Sequence, residues 1–122
     1  MPQIQIALIE DEADSRDATA ANLRDMGYAC KAYPNAEAFL KAVWGGETYD
    51  MLVVDLALPG IDGLELKRQL NDAGINIPCV AVTAYHASSV QASANEVGYD
   101  GYLPKPWDIA QLVEVIEEVL AH

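Results

Sequence analysis

Short apolar runs alternate with stretches whose apolar residues return at helical spacing, and the alternation occurs five times along the chain. Ile4 to Ile9 reads as a strand. Asp14 or Ser15 can cap a helix running to about Met26, where Gly27 stops it. Tyr28 to Tyr33 is a second, weaker strand, and Pro34-Asn35 opens a helix through Trp44 that Gly45-Gly46 ends. Met51 to Asp55 is the third strand, followed by a helix from Gly63 to about Ala73-Gly74. Pro78 to Thr83 is the fourth. The helix after it, about Ser88 to Val97, is polar and Ala-rich, so its core contact should be thin. Gly101 to Leu103 is a short fifth strand. Asp108 caps a last helix in which Ile109, Leu112, Val113, Ile116, Val119 and Leu120 share one face.

Strands that are apolar at nearly every position belong to a parallel sheet covered on both faces. Right-handed crossovers leave few ways to connect five strand–helix units. The expectation is an α/β fold: a doubly wound, five-stranded parallel sheet of flavodoxin-like order 2-1-3-4-5. Its 122 residues make one domain, 1–122.

Composition narrows the function. The 52% hydrophobic content fits a folded chain. No run approaches the roughly 20 apolar residues that span a bilayer, and no signal peptide is visible, so the expected location is cytoplasmic, with no membrane partner. The net charge is −12, and after Arg68 the only basic residue is Lys105. Binding a nucleic-acid backbone needs clustered Lys and Arg, and none cluster here, so no nucleic-acid partner is expected. The acidity solubilises the surface and could steer a basic partner. Cys30 and Cys79 stand singly in apolar segments and read as buried, reduced thiols.

The chemistry lies at the strand ends. In the order 2-1-3-4-5 the first and third strands are neighbours, so Glu10, Asp11 and Asp55 meet at the carboxyl edge, where ligands of such sheets bind. Clustered carboxylates call for a cation, and an all-oxygen donor set suits a hard ion such as Mg2+. Thr83 ends the fourth strand with a hydroxyl, and Lys105 follows the fifth with an ammonium. Acids with a metal, one hydroxyl and one lysine can hold a phosphoryl group while Asp55 attacks phosphorus in line. Each residue alone has a duller reading as a helix cap, turn former or surface charge; the conjunction carries the inference.

The segments Ile9-Glu10-Asp11-Glu12, Asp55-Leu56-Ala57-Leu58-Pro59-Gly60-Ile61-Asp62-Gly63, Val82-Thr83-Ala84 and Gly101-Tyr102-Leu103-Pro104-Lys105-Pro106 together resemble a response-regulator receiver domain over essentially the whole chain. The resemblance implies a phosphoacceptor signalling domain of a two-component phosphorelay, not an enzyme: it catalyses only its own phosphorylation and dephosphorylation. By resemblance, Asp55 takes the phosphoryl group from a histidine kinase or histidine phosphotransfer protein. Asp11, Asp55 and the backbone carbonyl of Ala57 ligate Mg2+, for which Mn2+ can substitute, and Glu10 acts through water. Lys105 pairs with Asp55 at rest and with the phosphoryl group afterwards, across a cis Lys105-Pro106 bond. Thr83 moves towards the phosphoryl oxygen and Tyr102 turns inwards, which alters the face of the fourth helix, fifth strand and fifth helix for a downstream protein target.

The chain departs from the family in having Glu10 where Asp is commoner. In the family, the positions of Ala57 and Tyr85 tune phosphoryl lifetime. Ala57 cannot place a water with its side chain and Tyr85 can shield phosphorus, so a long-lived phosphoform is expected. His86 reads as a solvated loop residue and His122 as a frayed terminal one. Trp107 either props the loop after Lys105 or offers partner contact area. Within signalling, the rival is a receiver cut from a hybrid histidine kinase or larger regulator. The fourth and fifth helices lack Lys and Arg, which disfavours a dimer joined by charge pairs across them. From other classes, an aspartate-nucleophile phosphatase would want a second acid at Ala57, and a flavin carrier would not place Glu-Asp-Glu at its phosphate loop. A pseudo-receiver is disfavoured because Asp11, Asp55, Thr83 and Lys105 are all present.

Overall fold

The computed structural model describes residues 3–84 and 88–121. In chain order the elements are β1 (Gln5–Ile9), α1 (Ala13–Asp25), β2 (Ala29–Tyr33), α2 (Ala36–Trp44), β3 (Met51–Asp55), α3 (Gly63–Asp72), β4 (Cys79–Thr83), α4 (Ser88–Val97), β5 (Gly101–Pro104) and α5 (Ile109–Leu120). The strands are parallel and ordered β2-β1-β3-β4-β5, as the apolar pattern predicts.

β3 and β4 are buried at every position, which is why their sequences show no polar alternation. Successive residues face opposite layers. Ile9, Val54 and Ala81 pack with Phe39 and Leu40 of α2, Leu66 and Leu70 of α3, and Ala94 of α4. Leu8, Val53 and Val82 pack with Ala20 and Leu23 of α1 and Leu112 and Ile116 of α5. The polar α4 buries only Ala94 in full, as its sequence implies. Among the described residues, no helix is long and apolar enough to cross a membrane.

Two local expectations need correction. α1 is capped by Glu12, not by Asp14 or Ser15; its carboxylate accepts from the Asp14 and Ser15 amides at 3.2 and 2.6 Å. A glutamate one residue before the helix reaches those amides, so the helix begins earlier. Cys79 is buried, but Cys30 is only half-buried, because β2 is the sheet edge. Tyr85, His86 and His122 lie outside the described residues.

The loop after β3 is held by the start of α3. Asp62 caps that helix at the Glu65 amide, 2.8 Å away. Gly63 is pressed against the loop: a Cβ there would stand 2.8 Å from the Leu56 Cα and 3.2 Å from the Asp55 carbonyl oxygen. Gly63→Ala should therefore destabilise the protein by about 1–3 kcal/mol through overpacking. Denaturant unfolding checks this, and unchanged stability would mean that the loop yields freely.

Candidate functional site

The site begins where the sheet ladder runs out. Val54 pairs with Ile9 and Asp55 with Val82, so the residues after β1 and β3 emerge side by side. The Glu10 amide donates to the Tyr33 carbonyl at 3.0 Å, extending the β1–β2 ladder by one step. Thr83 is opposite Pro104, and the Lys105 amide donates to the Thr83 carbonyl at 2.7 Å. That bond delivers Lys105 to the edge where the acids gather.

Carboxylate oxygens of Glu10, Asp11 and Asp55 all lie within 4.8 Å of one another. Glu10 and Asp55 are buried, at 4% and 5% exposure, while Asp11 is open to solvent. Lys105 Nζ donates to Asp55 Oδ2 at 2.8 Å, as the resemblance implies, and also to Glu10 Oε1 at 3.0 Å. The ammonium thus bridges two carboxylates. The Ser15 hydroxyl donates to the same Glu10 oxygen at 3.0 Å, and the Ala57 amide holds Asp55 Oδ1 at 2.9 Å. The Lys105–Pro106 bond is cis.

Thr83 is completely buried at the end of β4. Tyr102 is half-buried against the layer of α2, α3 and α4, and Ala57 is exposed at the mouth of the site. Trp107 packs against the layer of α1 and α5, which favours the loop-propping role. Sequence reasoning missed Ser15 as a partner of Glu10. It also missed Arg16, whose Nη1 donates to the Glu10 and Asp11 carbonyls. The only available signal was position, in the first turn of a helix that starts beside the acids.

The electrostatics are those of a site in which three carboxylates share one ammonium. Burial pushes Glu10 above the ordinary 4.5; the Lys105 hydrogen bond opposes this and the neighbouring Asp55 adds to it. Burial acts to lower the Lys105 pKa, but its bonds to Asp55 and Glu10 outweigh that, so the ammonium titrates above its usual value. Folded Glu10 binds its proton more tightly than the unfolded chain does. Stability should therefore fall as pH rises from the unfolded value through the raised one, leaving a standing cost at neutral pH. Glu10→Gln should raise the metal-free melting temperature at pH 7 and remove that pH slope. A lower melting temperature would show that the bond to Lys105 outweighs the repulsion.

Three close oxygen donors with one shared ammonium fit a hard divalent cation. Residues 6–117 match the family described as "Response regulator receiver domain". The chain is 32% identical to "Transcriptional regulatory protein FixJ" of Rhizobium meliloti (strain 1021) over 122 residues, all of this chain and 59% of that protein. It is 30% identical to "DNA-binding transcriptional regulator NtrC" of Escherichia coli (strain K12) over 115 residues, 94% of this chain and 24% of that protein. The chain thus spans between a quarter and three-fifths of these relatives. The crystal structure of FixJ-N superposes with a TM-score of 0.90 at 32% identity, covering 100% of this chain and 97% of that one. Matched from its first buried strand into its last helix, this chain belongs to the response regulator receiver domain family, the phosphoacceptor signalling domains of two-component systems.

Proposed function

We propose that Asp55 is the phosphoacceptor of this domain, and that Asp11, Asp55 and the Ala57 carbonyl hold Mg2+ or Mn2+, with Glu10 acting through water. The observation that carries this reading is the convergence of three carboxylates and Lys105 on one sheet edge. The Ala57 amide fixes Asp55 Oδ1, and Oδ2, which bonds Lys105 at rest, is the oxygen that attacks phosphorus. As the O–P bond forms, the N–P bond of a phosphohistidine donor breaks and the imidazole keeps the electron pair. Lys105 then exchanges its bond to Asp55 for one to a phosphoryl oxygen, and Thr83 supplies a hydroxyl from the next strand end. A bound divalent ion supplies charge neutralisation at the phosphoryl oxygens.

The donor is a histidine kinase or histidine phosphotransfer protein, and the work is cytoplasmic. The output is a shift in the face of α4, β5 and α5, with Thr83 and Tyr102 moving together, read by a downstream protein. Two features support this. Tyr102 is only half-buried, and α4 anchors a single residue fully in the core, so displacing it loses little packing. Residues 1–122 act as one receiver domain that turns over no external metabolite, with no nucleic-acid or membrane partner of its own. A DNA-binding output belongs to a longer regulator, such as NtrC, of which this chain spans 24%. Ala57 leaves no side chain to place a hydrolytic water, and with Tyr85 it favours a long-lived phosphoform.

The test is treatment with a small phosphodonor, with and without Mg2+, read by intact mass. One phosphoryl group added only with Mg2+ is the expected result. No addition, or addition independent of metal, rejects the reading.

A further inference from the structure

The three acids are not held alike. Lys105 grips the carboxylates of Glu10 and Asp55 directly. Among the described residues no cation pairs with the Asp11 carboxylate, which stands exposed beside two others. Its side chain takes its position from its backbone, and that backbone lies where β1 has ended and α1 has not begun. Arg16, in the first turn of α1, spans the gap. Its Nη1 donates to the Glu10 carbonyl at 3.1 Å and the Asp11 carbonyl at 3.3 Å. The helix is itself fixed to the loop by the Glu12 cap and by the Arg16 amide, which donates to the Glu12 carbonyl at 2.8 Å.

We propose that Arg16 is a positioning residue for the divalent-ion site, holding the backbone of Glu10 and Asp11 so that Asp11 stays within reach of an ion shared with Asp55. This rests on reading Glu10, Asp11 and Asp55 as a metal site. The charge of Arg16 and its bonds act in opposite senses. A fixed positive charge near the acids repels Mg2+, so removing it should tighten binding if only charge mattered. Removing the clamp leaves mutually repelling carboxylates free to spread, which weakens binding. Outer partners that orient metal ligands typically contribute about 10–100-fold in affinity or activity.

The sign of the effect is therefore the test. Mg2+ affinity is measured by calorimetry on the whole chain for wild type, Arg16→Gln, Arg16→Lys and Arg24→Gln. Arg24 lies on the same helix and bonds the Cys30 carbonyl, so its variant removes equal charge without touching the clamp. Arg16→Gln should bind Mg2+ at least about 10-fold more weakly and exchange the Asp11 and Glu12 amide protons faster in the metal-free protein. Arg16→Lys should fall between it and wild type, and Arg24→Gln should bind no more weakly than wild type. Binding by Arg16→Gln as tight as wild type or tighter overturns the proposal, whatever its melting temperature. Equal weakening in Arg24→Gln also overturns it. If Arg16→Gln does not fold, Arg16→Lys decides: its charge is unchanged, so undiminished affinity overturns the proposal. Failure of the wild type itself to bind Mg2+ rejects the metal-site reading instead.

Discussion

Asp55→Asn should fold and take up no phosphoryl group, with the rate from a small donor falling by more than about 10⁴-fold, as when a nucleophile is removed elsewhere. The substitution is conservative in shape. The Asn carbonyl oxygen can still accept from the Ala57 amide, which holds Asp55 Oδ1 at 2.9 Å. What disappears is the anionic oxygen proposed to form the bond to phosphorus. Asn loses the bond from Lys105 to Oδ2, but Lys105 keeps Glu10 as a partner and one of three crowded carboxylates is gone, so the variant should be no less stable without metal. Intact mass after phosphodonor treatment reads the first effect and thermal unfolding the second. Phosphoryl uptake at the wild-type rate would mean that another residue is the acceptor.

Lys105→Met should be the most destabilising change at the site and also the one that separates metal binding from chemistry. The ammonium bonds the two buried carboxylates of Glu10 and Asp55. Removing one partner of a buried ion pair costs about 3–5 kcal/mol. The Lys105 side chain is itself 29% exposed, so solvent screening puts the expected loss near the lower figure, about 3 kcal/mol. The sign follows from linkage. Lys105 titrates above its usual value in the folded protein, so its stabilisation is complete below the unfolded pKa and is lost only as pH rises through the folded one. At pH 7 the full effect is therefore present. Mg2+ should recover part of the loss by taking the place of the ammonium, and should bind more tightly than in wild type. Phosphorylation should nevertheless slow by about 10²–10³-fold, the usual cost of removing a donor that stabilises transition-state charge. Unchanged kinetics at saturating Mg2+ would assign Lys105 a purely structural role.

The architecture was legible because its causes are local. Polar alternation is absent from Met51-Leu52-Val53-Val54 and from Val80-Ala81-Val82, and a strand without a polar side has helices on both faces. Once the order was set, acids after β1 and β3 had to be neighbours, and Glu10, Asp11 and Asp55 are. The pairing of Lys105 with Asp55 was also expected, but its second bond was not. Glu10 has one methylene more than aspartate, and only the folded loop determines that this extra reach ends at Lys105 and Ser15. The Arg16 clamp was equally hidden, since it depends on a rotamer and on two carbonyls that exist as a pair only after the chain turns. At the cap of α1, Asp14 and Ser15 looked suitable by residue type, yet the long Glu12 side chain reaches their amides first.

Asp55 is proposed to form the bond to phosphorus with a divalent ion held beside it. Borohydride reduction of an aspartyl phosphate yields homoserine, which fragment mass spectrometry can locate along the chain. After phosphodonor treatment with Mg2+, homoserine is expected at position 55 and nowhere else, and it should be absent when the metal is chelated. Homoserine at another position, or at 55 irrespective of metal, would rule out Asp55 as a metal-dependent acceptor.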